Sequence, residues 1–352
     1  MTEIYRNFLP HYWGLLEHTQ TAYYRLCRQI PVEIPPQATM QELWDLHRQT
    51  HISLSSKISP VSAPLPIISY LDLKIELAQR LLESCEFCEH HCKKNRNSGE
   101  TGYCGISDRS AIASAFLHLG EERPLVPSGT IFFVGCTISC VFCQNADIST
   151  PGKSSPLNHA ESLISSQDLA DIAEVLVVKG VKNINYVGGD PTPHIHTILT
   201  SMKSQHHNTC QLWNSNLYNS IYALELLHDV IDLWLPDFKF GNNTCAQTYS
   251  GISRYWDVLT CNMQYIYTHG SKNIIVRHLV MPGHMDCCTK PILTWLAQHT
   301  PKVLVNIMGQ YHPDHLVSRT YYSEINRRVS LAEMQDAYHH ADALGLEYRS
   351  VS

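Results

Sequence analysis

Charge is scarce in this chain. Only 16% of its 352 residues are Asp, Glu, Lys or Arg, and the formal net charge is -6. Neutralising a nucleic-acid backbone requires a concentrated basic face, so no nucleic-acid partner is expected. Long apolar runs are also missing. No stretch reaches the roughly 18 apolar residues that a membrane span needs, and no membrane partner is expected. The opening Met1-Thr2-Glu3-Ile4-Tyr5-Arg6-Asn7 lacks the charged-then-apolar pattern of a secretory signal. Internal repeats and low-complexity runs are absent as well. These absences predict a cytoplasmic location.

Core-forming residues are plentiful by contrast. A 44% hydrophobic content over 352 residues suits one large α/β domain with an appendage, or two modest domains. Cysteine is abundant too: the chain has 13, an odd number. A secreted disulfide protein is one reading of that count. Without an export signal, clustered cysteines read better as metal ligands or redox groups in a reducing compartment.

Residues 1–80 carry Tyr, Trp and Leu at helical spacing, over Tyr12 to Leu26 and Met40 to His47. Between and after these lie the Pro-rich pieces Ile30–Pro36 and Ser59–Pro66, which read as linkers. From about residue 128 short apolar runs alternate with helical segments. The predicted strands are Thr130–Gly135, Ile184–Val187, Gln211–Trp213, Ile231–Leu235, Asn273–Val280 and Val303–Met308. The predicted helices are Gln167–Lys179, His194–Lys203, Ile221–Val230, Tyr255–Thr268, Lys290–Gln298 and Leu331–Leu344. Ser330 followed by Glu333 is a capping-box pattern that marks the start of the last helix. Near-continuous apolar strands alternating with helices imply a buried parallel sheet. Six units are fewer than the eight of a closed barrel, so a partial barrel and an open doubly wound sheet fit the pattern equally.

The sharpest motif is Gly135-Cys136-Thr137-Ile138-Ser139-Cys140-Val141-Phe142-Cys143, directly after the first of these strands. Its C-x3-C-x2-C spacing lets one loop point three thiolates at one centre. Iron–sulfur clusters are ordinarily held by four cysteines. Three cysteines leave one iron of a 4Fe–4S cube open to an exogenous ligand, as at catalytic metal sites. S-adenosylmethionine (SAM) suits that place, because its amino and carboxylate groups can chelate the open iron. Phe142 would shield such a cluster. A zinc site would favour paired C-x2-C knuckles and four ligands.

With these residues in hand, the chain resembles the radical SAM superfamily. More narrowly it is similar to the PflX-like branch, related to pyruvate formate-lyase activating enzymes. The resemblance runs from Cys85 to Gly345. It rests on the cysteine loop with Gln144-Asn145, Val187-Gly188-Gly189-Asp190-Pro191, Trp213-Asn214-Ser215-Asn216, Leu235-Pro236-Asp237-Phe238-Lys239, Val276-Arg277-His278 and Val305-Asn306-Ile307-Met308. It implies an α/β fold of the partial (β/α)6 TIM type with an N-terminal helical and cysteine-rich extension. The implied parts are a helical extension over 1–80, a cysteine-rich metal-binding segment over 81–127 and the radical SAM core over 128–352.

The resemblance also implies residue roles. Cys136, Cys140 and Cys143 would hold the 4Fe–4S cluster. Gly188 and Gly189 would bring backbone close to SAM, since glycine lets the chain approach a ligand, and Asp190 would accept from its amino group. Asp237 and Lys239, two apart and so on one face of a strand, would be SAM contacts; a structural ion pair is the alternative. Asn214 would contact ribose or substrate, unless it is a turn former. Arg277 suits a carboxylate. His278 reads either as a neighbouring ligand or as a satisfied inward-facing side chain.

A second constellation, Cys85, Cys88, Cys92 and Cys104, spaced C-x2-C-x3-C-x11-C, can close a tetrahedral site unaided. Zinc and a second iron–sulfur cluster are both compatible with it, and His90 or His91 is able to replace a ligand. Glu121 and Glu122 follow as a carboxylate pair, for substrate or for solvent. His312 is a further candidate. Cys27, Cys210, Cys245, Cys261, Cys287 and Cys288 show no ligand spacing and are expected as buried small hydrophobes.

The implied activity is reductive SAM cleavage and hydrogen abstraction, with glycyl-radical activation of a protein substrate as the narrowest form. Modification of another protein, peptide or small molecule is the alternative. An electron donor such as flavodoxin or ferredoxin is implied as partner. A non-catalytic iron–sulfur carrier would have no use for a cosubstrate pocket, and a purely structural zinc protein would use the upstream cysteines alone.

Overall fold

The computed structural model describes residues 2–54, 64–149, 163–270 and 272–351. Of the Pro-rich stretch Ser59–Pro66, residues 59–63 lie outside them. Along the chain, α1 (Thr2–Phe8), α2 (Pro10–Leu16), α3 (Tyr23–Cys27), α4 (Met40–Leu54) and α5 (Tyr70–Arg80) come first. Then follow β1 (Ser110–His118), β2 (Ser128–Phe133), α6 (Ala146–Ser149), β3 (Leu163–Ile164), α7 (Ser166–Val178), β4 (Asn183–Gly188), α8 (Ile195–Ser201), β5 (Cys210–Ser215) and α9 (Ile221–Leu227). The chain continues through β6 (Leu233–Pro236), α10 (Asn243–Ser250), α11 (Tyr255–His269), β7 (Ile275–Leu279), α12 (Lys290–His299), β8 (Leu304–Met308) and α13 (Leu331–Ala343).

Local chemistry starts these helices where the sequence marks them. At α13 the Ser330 amide donates to Glu333 at 2.8 Å while Ser330 Oγ accepts from the Glu333 amide at 3.2 Å. Ser69 with Asp72 and Ser165 with Asp168 make the same reciprocal cap on α5 and α7. Two orphan amides are satisfied at each start. The helical spacing from Tyr12 to Leu26 is interrupted. Gly14 O accepts from the amides of Thr19 and Gln20. A Cβ on Gly14 would sit 2.4 Å from Gln20 Cγ, so the missing side chain lets the turn close there.

The sheet is mostly parallel. Its order is β3-β1-β2-β4-β5-β6, with β2, β4, β5 and β6 parallel and β1 antiparallel to both its neighbours, β2 and β3. β7 and β8 form a parallel pair, and bridges Trp234↔Ile274 and Asp237↔Arg277 set β7 alongside β6. β5 and β6 are buried along their whole length, as expected of strands covered on both faces. Trp213 and Trp234 are fully buried at their centre. β1 was not anticipated: its interspersed Ser and Ala make a half-exposed strand without a continuous apolar run.

The first helices share this core rather than forming one of their own, with Leu9, Tyr12 and Tyr24 packed in the same apolar cluster as the strands. They sit where the strands begin. His11 lies 2.8 Å from Asp232, just before β6, and the Tyr12 amide donates to Asn273, just before β7. Fully buried Lys74 of α5 donates to the carbonyls of Glu225 and Leu226 and lies 3.4 Å from Asp229. With that end of the sheet occupied, the open end is the one where the parallel strands finish, the usual place for a ligand cleft.

Candidate active site

Four consecutive parallel strands deliver their C-terminal ends to one cleft. β2 runs into the loop bearing Cys136, Cys140 and Cys143, β4 ends at Gly188 and Gly189, β5 at Asn214 to Asn216, and β6 at Asp237 and Lys239. All of these residues line the same cavity.

The cysteine loop is held from several sides. Gly135, with φ +82°, permits the turn, and a Cβ there would lie 2.7 Å from Cys104 O. The amides of Ser139 and Val141 donate to Ser250 O and Tyr249 O at the end of α10. Asn216 Nδ2 donates to Thr137 Oγ1 at 2.9 Å and toward Cys136 Sγ at 3.6 Å. Phe142 is buried with its ring centre 5.6 Å from that of Tyr311. Burial pushes the Cys136 thiol well up, with Asp190 adding to it. It pushes the Cys140 thiol up to about 12, against the opposing Lys239 charge. In this enclosure a thiolate needs a cation as partner.

The glycine turn is sterically obligatory. Gly188 has φ +128°, and a Cβ on it would lie 2.2 Å from Phe133 N; on Gly189 it would lie 2.1 Å from Gly135 O. Asp190 stands behind this turn and does not line the cleft. Its Oδ1 accepts from the Thr192 amide at 2.9 Å, and its Oδ2 accepts from Ser215 Oγ at 2.9 Å and the Asn216 amide at 3.0 Å. Burial raises its carboxyl despite these bonds. The carboxylate expected to face SAM therefore ties the end of β4 to the end of β5.

Lys239 Nζ donates to Asp237 Oδ2 at 2.7 Å. Burial opposes the lysine's charge, but Asp237 and Cys140 outweigh it and hold the ammonium protonated. Arg277 is placed differently from its expected role. It does not line the cleft: its Nε donates to Glu122 at 2.7 Å, and a second nitrogen engages Glu121. Burial would raise the Glu122 carboxyl, but Arg277 holds it below the usual range. The carboxylates expected for substrate or solvent are thus Arg277's partners. His278 is satisfied on both nitrogens, by Phe238 O at 2.8 Å and Thr289 Oγ1 at 2.9 Å. His312 is exposed and away from the cleft, whereas His315 lines its rim. No spacing signal distinguished His315 from the other histidines.

The upstream cysteines pack directly on this loop. His90 Nε2 bonds Thr137 O at 2.8 Å, and Tyr103 donates to Ser139 Oγ at 2.8 Å. His90 is thereby engaged, and His91 lies against Glu86 and Glu89. Cys92 is held below the usual thiol range by its bond from Cys85. Cys88 and Cys104 are driven up by burial.

The donor set fits a cluster with a cosubstrate. Three thiols share one cleft with a close-approach glycine turn. Asn214 Nδ2, in the cleft wall, is buried without a hydrogen-bond partner, a donor waiting for a ligand. Comparison with known proteins agrees. Residues 130–296 match the model of the "Radical SAM superfamily". The chain is 36% identical over 351 aligned residues to an uncharacterized protein of Methanocaldococcus jannaschii (MJ0674), covering 96% of this chain and 98% of the relative. Residues 130–296 carry a radical SAM superfamily domain.

A radical SAM domain implies a 4Fe–4S cluster and SAM. Among solved structures, similar chains include Streptococcus suis SuiB bound to S-adenosylmethionine, at 14% identity and TM-score 0.43, covering 60% of this chain and 47% of SuiB. The chain therefore matches about half of SuiB's length. Others are a radical SAM methyltransferase from Sphaerobacter thermophilus (11%, TM-score 0.47, 62% and 64%) and Escherichia coli QueE (12%, TM-score 0.41, 68% and 92%). No helix among the described residues is long and apolar enough to cross a membrane.

One cysteine constellation was missed. Cys245, Cys287 and Cys288, expected as isolated buried hydrophobes, bring their sulfurs within 4.8 Å of one another. Cys287 is exposed and Cys245 half-buried; Cys261 is exposed too, while Cys27 and Cys210 are buried. Residues 42 apart in sequence leave no spacing signal.

Proposed function

We propose that Cys136, Cys140 and Cys143 hold the 4Fe–4S cluster at which this radical SAM enzyme cleaves SAM reductively. The observation that carries this reading is that the three thiols, the Gly188–Gly189 turn and the Asp237–Lys239 pair line one cleft. When bound, the cluster supplies the electron that splits the sulfonium C–S bond, giving a 5′-deoxyadenosyl radical for hydrogen abstraction. Gly188 and Gly189 present backbone to SAM at close range. Asn214 Nδ2 donates to its polar groups, and Lys239, kept charged by Asp237, faces its carboxylate. Phe142 and Tyr311 keep water from the cysteine loop.

We read the parallel strands β2 and β4 to β8 as one curved, partial (β/α)6 wall; the bridges between β6 and β7 support this. The likeness to pyruvate formate-lyase activating enzymes favours a partner polypeptide as substrate, with a glycyl radical as product and flavodoxin or ferredoxin as electron donor. The upstream cysteines would hold zinc or a second cluster against the catalytic loop.

The test is anaerobic reconstitution with iron and sulfide, then addition of dithionite and SAM. The expected product is 5′-deoxyadenosine, with Cys140→Ala losing cluster and product together. A fully loaded protein that makes none overturns the assignment, as does product from a variant lacking all three loop cysteines.

A further inference from the structure

We propose that Cys245, Cys287 and Cys288 form a binding site for one thiophilic divalent cation of the zinc class, clamping the loop after β6 to the loop after β7. This site is separate from both cysteine groups discussed above and does not depend on the radical reading.

The geometry is that of a single-ion site. A zinc–sulfur bond of about 2.3 Å in a tetrahedron puts neighbouring sulfurs about 3.8 Å apart. Cys245 Sγ lies 3.9 Å from Cys287 Sγ, Cys287 Sγ lies 4.0 Å from Cys288 Sγ, and all three fall within 4.8 Å. A disulfide needs one pair at about 2.05 Å and has no role for a third sulfur. Here two separations are nearly equal and the third stays within 4.8 Å, as one shared centre requires. Cys136, Cys140 and Cys143 are not among the described groups drawn this close. That suits ligands to separate irons.

The surroundings are built to hold the trio. Cys245 is in the first turn of α10, whose cap Asn242 accepts from the Cys245 amide at 2.7 Å. The same Asn242 donates from Nδ2 to Cys287 O at 2.7 Å and to Cys245 Sγ at 3.3 Å, so one side chain spans both loops. Gly241 allows the approach: a Cβ there would sit 2.5 Å from Cys288 Cα. Cys288 is buried and Cys287 exposed, so three corners of a tetrahedron are protein and the fourth opens to water or a small thiol. Binding releases the thiol protons as the cation takes the thiolates. The far end of α10 accepts the amides of Ser139 and Val141, so the clamp also braces the catalytic loop.

The experiment uses the full-length reconstituted protein, stripped with EDTA and reloaded with Zn2+. Zinc per chain is compared between the native sequence and the variant with Cys245→Ser and Cys287→Ser. The expected result is one equivalent less in the variant; equal zinc overturns the proposal. If the variant does not fold, alkylation of Cys287 in the native protein decides, read by peptide mass spectrometry. Zinc should slow it at least tenfold relative to the chelator-treated protein. Equal rates, or a Cys245–Cys287 disulfide persisting in reductant, overturn the site.

Discussion

Asn216 Nδ2 lies 3.6 Å from Cys136 Sγ and 2.9 Å from Thr137 Oγ1, so one amide group reaches both a proposed iron ligand and the next residue of its loop. Hydrogen bonds to cluster sulfurs favour the more negative, reduced state and help set its potential. Asn216→Leu is expected to lower the midpoint by tens of millivolts, since about 59 mV corresponds to tenfold in a one-electron couple. An EPR-monitored redox titration reads this. An unchanged midpoint would show that the contact is structural only.

Gly189→Ala tests the turn behind the cleft. The added methyl would meet Gly135 O at 2.1 Å, a backbone atom that cannot swing away. Overpacking typically costs about 1–3 kcal/mol. We expect a fall of several degrees in Tm and weaker SAM binding, with Gly180→Ala as a control. Gly180 has a positive φ, which Gly189 does not, and no atom lies within 4 Å of its added Cβ, so it reports backbone strain without a clash. An effect no larger at Gly189 than at Gly180 would show that the contact with Gly135 gives way.

Lys239→Met removes the only charge of one sign from the Asp237–Lys239 pair while keeping its apolar stem. SAM affinity, measured by equilibrium dialysis on the reconstituted protein, should fall roughly tenfold or more, about 1.4 kcal/mol. Iron content should stay constant. Full affinity in this variant would assign the pair a structural role.

Glu122→Gln breaks a pair in which both side chains are largely buried. Removing one partner of a buried pair costs about 3–5 kcal/mol where the other charge is left uncompensated; Glu121 still faces Arg277, so the loss should fall below that range. The denaturant midpoint should drop accordingly without a change in slope. Because Arg277 and Glu122 stay out of the cleft, reconstituted iron content in the folded variant should match the native protein.

Acid sensitivity follows from buried histidines. Burial holds His194 and His196 down to about 3 and His278 down to about 4, well below the usual imidazole value of about 6.5. All three are neutral in the folded state at pH 6, whereas the unfolded chain takes up protons below about 6.5. The unfolded state then binds more protons, so stability is complete above that pH and is lost as pH falls toward 4. Each group contributes up to about 1.4 kcal/mol per pH unit in that window. Tm measured from pH 7.5 to 4.5 should decline steeply below 6; a flat profile would mean these rings are charged or solvated.

Much of the architecture was legible before any coordinates. The C-x3-C-x2-C loop announced itself because one short segment carries all three proposed ligands, and the apolar runs marked β2 and β4 to β8 because both faces of a parallel strand are buried. Ser330 with Glu333 marked a helix start because a cap is made within four residues. Roles that depend on a partner's side chain were less legible. Asp190 and Arg277 occur in the expected segments, yet Ser215 and Asn216 claim the first, and Glu121 and Glu122 claim the second.

Order along the chain thus determined the elements, the cysteine loop and the glycine turn, since each is encoded by neighbours in sequence. Folding alone decided where their side chains point. It turned Asp190 inward, set His315 on the rim and brought Cys245 to Cys287 and Cys288. Convergence across distant segments depends on how β6 and β7 lie side by side, and no local pattern of residues carries that.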